Sequence, residues 1–296
     1  MKKRPFLLAS ALLAGLFVFF LALAVTVASF MGRPANFAIG DKVGVIEVYG
    51  VIADSRQVIE QLHDFRDNDS IKALVLRVDS PGGGVGPSQE IHDEVKALNA
   101  LKPVVVSMGS VAASGGYYIA VPAREIIANP GTIIGSIGVI MEFTNFQELL
   151  DKIGLNSVVV KSGEYKDIGS PTREMTAAER EILQNLIDDV HSQFVASVAD
   201  GRDIDEDVVR SIADGRVFSG RRAMEMGLVD GMGNLEVAIK RAAELAGIDG
   251  EPKVVYPPGK KPRFIDLFIE ETLNRLQFAL QKQQTVGLQY LWRGFN

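Results

Sequence analysis

The sequence contains no cysteine, so disulfides, thiol nucleophiles and thiolate-held metals are excluded. Histidine is nearly as scarce. Only His63, His92 and His191 occur in 296 residues, each within a helical stretch and none in a ligand spacing such as H-E-x-x-H. All three read as surface residues, and no metal site is expected. A basic excess is missing as well: beyond residue 32, 28 Lys and Arg face 37 Asp and Glu, which argues against nucleic acid as a partner. Complete phosphate-binding loops are absent. Gly82-Gly83-Gly84-Val85-Gly86 follows a strand, but Pro87 breaks the sixth position of G-x-G-x-x-G, and no G-x-x-x-x-G-K-[ST] occurs. Asp203, Asp205 and Asp207 imitate a calcium loop whose obligatory glycine is replaced by Val208; they suit a helix N-terminus better. No cofactor is expected.

Charge is also missing from one continuous stretch. Residues 5–32 carry none, while Lys2, Lys3 and Arg4 precede them. About 20 apolar residues cross a bilayer, and a cleavable signal peptide has a shorter apolar region. Residues 1–32 therefore read as a cytoplasmic N-terminus and single transmembrane anchor, with the body outside the cytoplasm. A cut near Val27-Ala28-Ser29 is the competing reading.

The body alternates two periodicities. Apolar, β-branched runs predict strands at 42–52, 71–78, 103–108, 125–128, 138–143 and 157–161. Helical spacing predicts helices at 54–65, 88–101, 112–121, 145–153, 176–198, 205–213, 220–226 and 235–246. Repeated β-α-β units imply an α/β fold with a mainly parallel sheet and right-handed crossovers. The domain is expected to run over residues 33–250. A Pro-rich linker at 257–262 and an amphipathic segment at 265–280 belong to a tail, 251–296, of open role.

Two clusters carry chemistry. In Gly109-Ser110-Val111-Ala112-Ala113-Ser114-Gly115-Gly116, small residues flank Ser114 as a nucleophile requires. A helix starting there would leave the Gly115 N–H free to face an oxyanion. The turn Asp79-Ser80-Pro81-Gly82-Gly83-Gly84 leaves a parallel strand at the same carboxyl edge and offers further amides. The second cluster is Lys161-Ser162-Gly163-Glu164-Tyr165-Lys166-Asp167-Ile168-Gly169-Ser170-Pro171. No histidine lies between His92 and His191, so a local Ser-His unit has no support. A lysine serves as base where its pKa is lowered by burial, and Ser136 could position it. On spacing alone, the glycines read equally as tight turns, Ser114 as a helix cap and Lys166 as a solvated turn lysine.

Taken together, DSPGGG (79–84), GSVAASGGYYIA (109–120), GTIIGSIGV (131–139) and KSGEYKDIGSP (161–171) strongly resemble the signal peptide peptidase A family. The match is to its short bacterial form, and it continues through GRVFSGRRAMEMGLVDGMGN (215–234). The resemblance implies a ClpP/crotonase-like fold with Ser114 as nucleophile and Lys166 as general base. It also implies oxyanion donors at the Gly83 and Gly115 amides and Ser136 orienting the lysine. It further implies a ring-shaped homo-oligomer at the bacterial inner membrane that degrades cleaved signal peptides on the extracytoplasmic face. A crotonase-like acyl-thioester enzyme and a non-catalytic membrane scaffold of the same fold are the alternatives.

Overall fold

The computed structural model describes residues 15–20, 40–258, 288–292 and 294. Residues up to Gly40 and those from Asp41 onward form separate units. In the first, residues 15–20 are helical and exposed. Among the described residues no helix is long and apolar enough to cross a membrane. Most of the uncharged run, and the whole amphipathic segment 265–280, lie outside them.

The second unit is built on one sheet. Its strands are β1 (Lys42–Tyr49), β2 (Ile71–Ser80), β4 (Val104–Ala113), β5 (Glu125–Ala128), β6 (Ile133–Gly135), β7 (Val217–Ser219), β8 (Gly231–Met232) and β9 (Lys253–Val255). The main path runs β7-β6-β4-β2-β1-β9, with β5 and β8 branching from β4. Every pairing is parallel except β6 with β7. A separate antiparallel pair joins β3 (Gly82–Gly84) to β10 (Gln289–Leu291). The described parts of the tail thus extend the body, β9 alongside β1 and β10 alongside β3.

Alternation along the central strands sorts the core into two faces. Val43, Val45, Ala73, Val75 and Val105 pack under α8 (Leu235–Leu245) through its Ala238, Ile239, Ala242 and Ala243. Ile46, Val48, Leu74, Leu76, Val104 and Val106 face the opposite side. There the remaining core gathers α1 (Arg56–Arg66), α2 (Val85–Asn99), α3 (Gly115–Tyr118) and α5 (Ala177–Arg202). The other helices are α4 (Gln147–Lys152), α6 (Glu206–Ile212) and α7 (Gly220–Glu225). Asp205 caps α6 by accepting the Asp207 N–H, the role foreseen for these acids.

Four expectations need correction. The helix placed at 112–121 shrinks to one turn, because β4 continues to Ala113 with partners on both sides: Ala112 beside Ser80, and residues 111–113 beside β6. Residues 138–143 form no strand; Ile140 alone bridges to Gln289. Residues 157–161 have no ladder partner among the described residues, and Val158 and Val160 stand 86% and 96% exposed. Their β-branched composition satisfies a sheet only where another strand offers hydrogen bonds. Finally, His92 is buried rather than superficial, packed on the Tyr118 ring at 4.8 Å. Burial pushes its pKa below the usual value, with Asp93 opposing.

Candidate active site

The carboxyl ends of β2, β4 and β6 lie side by side, and the turns leaving them form the site. The turn after β2 is pinned through main-chain and serine contacts. Ser80 Oγ donates to Gly50 O at 2.6 Å and accepts the Gly82 N–H at 3.1 Å. Ile52 donates to Gly82 O and accepts from the Gly84 N–H, both at 2.8 Å. Gly82 holds φ +101, a region that an L side chain rarely enters, and a β-carbon there would strike the Tyr290 carbonyl.

Ser114 ends β4 at φ 54 and ψ −120, 1% exposed. Its N–H donates to Gly135 O at 2.7 Å, and its carbonyl accepts the Tyr118 N–H at 2.8 Å. A non-glycine residue held at positive φ costs roughly 1–3 kcal/mol and persists only where surroundings over-determine it. The corner lifts Ser114 out of the strand at the start of α3, as a nucleophile turn does. Its side chain makes no cap hydrogen bond. Ser136 ends β6 in the same way, at φ 51, with its N–H donated to Arg216 O at 2.8 Å. Since Ala113 pairs with Gly135, the two serines leave adjacent strands side by side.

Gly115 is glycine for reasons of approach. A β-carbon there would sit 2.7 Å from Ser88 Oγ and 3.1 Å from both Gly83 N and Tyr290 O. The Gly83 amide therefore converges on the Gly115 backbone, and the Gly115 N–H has no acceptor among the described residues. A cavity of about 490 Å³ adjoins, lined by Ser136, Ile140, His191, Leu291 and Trp292 among others.

Lys166 is placed differently. It lies exposed in the turn following residue 163, with its backbone N–H donated to Gly163 O at 3.2 Å. Its side chain hydrogen-bonds neither Ser114 nor Ser136. The turn is held by charges on either side of it. Asp167 accepts from Lys161 Nζ at 2.5 Å and from Arg173 Nε at 2.9 Å. Arg173 also engages both oxygens of Glu179, which is 3% exposed and closes the capping box of α5 with Thr176. The Arg173 and Lys161 hydrogen bonds hold the Asp167 carboxyl far below the usual range. Arg173 first, then the Thr176 backbone N–H, hold Glu179 down at about 2.

The structure thus brings Ser114, Gly115, Gly83 and Ser136 together and leaves Lys166 on a separately braced exposed turn. Sequence reasoning missed this Arg173 brace, although Thr176-x-x-Glu179 is a legible capping box. It also missed Tyr290 and the aromatic wall it meets. Among the described residues no cluster of metal-ligating side chains occurs.

Peptidase family S49 matches residues 96–249, and a Clp protease family matches residues 43–132. A Synechocystis protein named as a protease is 47% identical over 209 residues, covering 70% of this chain and 76% of its own. An Enterococcus faecium protein named as a signal peptide peptidase is 36% identical over 212 residues, 67% of this chain and 62% of its own. Protease 4 of Salmonella typhi is 38% identical over 217 residues, 70% of this chain but only 35% of that protein. The chain belongs to peptidase family S49, the signal peptide peptidase A family, and is a serine peptidase.

Proposed function

We propose that the chain is an endopeptidase in which Ser114 is the nucleophile and Lys166 its base, acting on cleaved signal peptides and similar fragments at a membrane's extracytoplasmic face. The observation that carries this reading is the Ser114 corner: a buried serine at positive φ whose neighbouring amides, Gly83 and Gly115, converge on one point. Ser114 would attack a peptide carbonyl while those two N–H groups take up the developing negative charge. Neutral Lys166 would accept the serine proton and return it to the leaving amine, its own amine steadied by Ser136 beside the adjoining cavity. Water would then release the acyl group.

The substrate class follows from the relative named as a signal peptide peptidase. Membrane attachment rests on the uncharged run at residues 5–32 behind three basic residues. Assembly into a ring is inferred from the family resemblance. The test is hydrolysis of a fluorogenic peptide by wild type, Ser114→Ala and Lys166→Ala, with labelling by a serine-reactive phosphonate. Loss in both variants, and label carried on Ser114 alone, supports the reading. Full peptidase activity in Ser114→Ala would overturn it, and an unlabelled Ser114 with thioester hydrolysis would favour the acyl-thioester alternative. Mature protein beginning near Ser29 would overturn the anchor.

A further inference from the structure

The two strands that deliver the halves of the site run out of step. β2 and β4 pair in parallel from Leu74 opposite Val104 to Val78 opposite Met108. The next pair is Ser80 opposite Ala112, so β4 carries two residues more than β2 between them. An even excess keeps the alternation of faces, and Met108 and Ala112 belong to the same core. What changes is level. The excess draws the end of β4 back by about 6.6 Å, at the ordinary rise of about 3.3 Å per residue. An unbroken ladder would carry Ser114 to the level of Gly84, whereas the bulge sets it level with Gly82 and sets Gly115 beside Gly83. The close approaches agree with that register. A β-carbon on Gly82 would lie 2.6 Å from Gly115 N, and one on Gly115 would lie 3.1 Å from Gly83 N.

A bulge takes backbone groups out of the ladder, and buried ones need other partners. β4 also changes its other neighbour here: Met108 is its last residue beside β5, and Val111 its first beside β6. Side chains take up the groups left between. Asp79, near the end of β2, accepts the Val111 N–H on Oδ1 at 3.1 Å. Thr132, immediately before β6 and buried, donates its hydroxyl to Gly109 O at 2.7 Å and accepts the Asn129 N–H at 3.2 Å. Asn129 Nδ2 and Arg77 Nη1 both donate to Met108 O at 3.2 Å. Gly109 leaves room for the carboxylate, since a β-carbon on it would lie 2.5 Å from Asp79 Oδ2.

From this arrangement we infer that Asp79 and Thr132 are positioning residues for the nucleophile: they hold the bulge at residues 109–111, and the bulge sets Ser114 and Gly115 level with the Gly83 amide. The inference rests on the proposed Ser114 reading and adds the device that sets its register. Both side chains act through the main chain of β4, because their bonds go to Val111 N and Gly109 O rather than to Ser114. The turn that carries Gly83 is fixed separately, by Ser80 and Ile52. Releasing the bulge therefore moves Ser114 against a turn that stays where it is, and a misplacement of about 1 Å costs about 10²-fold in rate.

The experiment measures kcat and KM on a fluorogenic peptide, the rate of phosphonate labelling and Tm, all on the full chain. Asp79→Ala and Thr132→Val should each lower kcat and labelling about 10- to 100-fold. KM should stay within about threefold, since the lost interaction belongs to the reacting geometry. Asp79→Asn keeps an oxygen for the Val111 N–H and Thr132→Ser keeps the hydroxyl, so both should remain within about fivefold of wild type. Gly109→Ala, whose methyl displaces the carboxylate, should match Asp79→Ala, and the double variant should be little worse than either. Should Asp79→Ala not fold, Thr132→Val against Thr132→Ser makes the same comparison. An inactive, unlabelled Ser114→Ala beside fully active Asp79→Ala and Thr132→Val overturns the inference and leaves the peptidase reading standing. Full activity in Ser114→Ala overturns both. Conservative variants as impaired as Asp79→Ala and Thr132→Val, or a rise in KM at unchanged kcat, would also remove the positioning role.

Discussion

Ser114 and Lys166 occupy opposite structural settings. Ser114 is buried where β4 ends, fixed by main-chain bonds to Gly135 and Tyr118 and by the packing of three parallel strands. Lys166 stands exposed on a turn that follows an unpaired apolar run, and ion pairs from Lys161 and Arg173 do the holding. The first setting is rigid because moving it breaks a ladder. The second rests on local turn bonds and on side-chain ion pairs rather than on a ladder, and the Lys166 side chain takes no part in those ion pairs. On the proposed Ser114–Lys166 reading, the strained corner and the base would thus be mounted on separately held parts of the fold.

The largest test of that pairing removes each half. Ser114→Ala and Lys166→Ala should each lower kcat/KM by about 10⁴-fold or more, and the double variant should be little worse, because groups acting as one unit are non-additive. Lys166→Arg should not restore activity, since a guanidinium stays protonated and cannot accept the serine proton. A double variant whose losses multiply would mean the two residues act separately.

Within the rigid half, Gly115→Ala keeps the N–H but should lower kcat by up to about 10²–10³-fold, the cost of one oxyanion donor, because its methyl pushes the two donors out of place. Its methyl would press on Ser88 Oγ, which can rotate, and on the point facing Gly83 N. The fold should survive, as checked by Tm. Gly83 is a poorer probe, because a side chain there would collide with the Ile52 backbone and displace the turn itself. An active, well-folded Gly115→Ala would move the oxyanion site elsewhere.

Within the exposed half, Arg173→Ala should lower kcat more than KM and raise hydrogen exchange over residues 161–170, leaving exchange at Ser114 unchanged. Arg173→Lys should not rescue it, for one ammonium cannot bridge Asp167 and both oxygens of Glu179. Acid should act alike. The folded carboxyl of Glu179 titrates at about 2 against an ordinary 4.5, so its contribution is complete above 4.5 and disappears as pH falls toward 2. Exchange over the turn should rise across that window in wild type and be high throughout in Arg173→Ala. Equal exchange in both proteins would show that the ion pairs hold nothing.

The same contrast explains what could be read in advance. The buried half is written locally: β-branched runs with period-2 alternation at 71–78 and 103–108, then glycines and small residues at their ends, leave few other folds. Even so, the extension of β4 to Ala113 was hidden, because its partner β6 is only three residues long and carries no pattern of its own. The exposed half misled for a related reason. Ser157-Val158-Val159-Val160 has a strand's composition, but composition cannot show whether a neighbour exists. Tyr290 was invisible for distance: its partners Gly83, Tyr118 and Phe194 lie about a hundred residues or more away, and nothing near it in sequence marks a strand.

The smallest expected effect tests a rival to the pairing. His191 is the imidazole beside Ser136: both line the same cavity, and His191 Nε2 is buried without a partner among the described residues. Position alone would admit it as the base. Its ring, however, rises from the middle of α5, with no carboxylate bonded to fix its tautomer. A lysine base needs no such orienting group. His191→Gln keeps the helix and much of the volume, and should leave kcat/KM within about twofold, the range of ordinary substitutions away from a site. Assayed beside Lys166→Ala, it divides the two mechanisms: an inactive His191→Gln with an active Lys166→Ala would put the imidazole in the lysine's place and detach the exposed turn from catalysis.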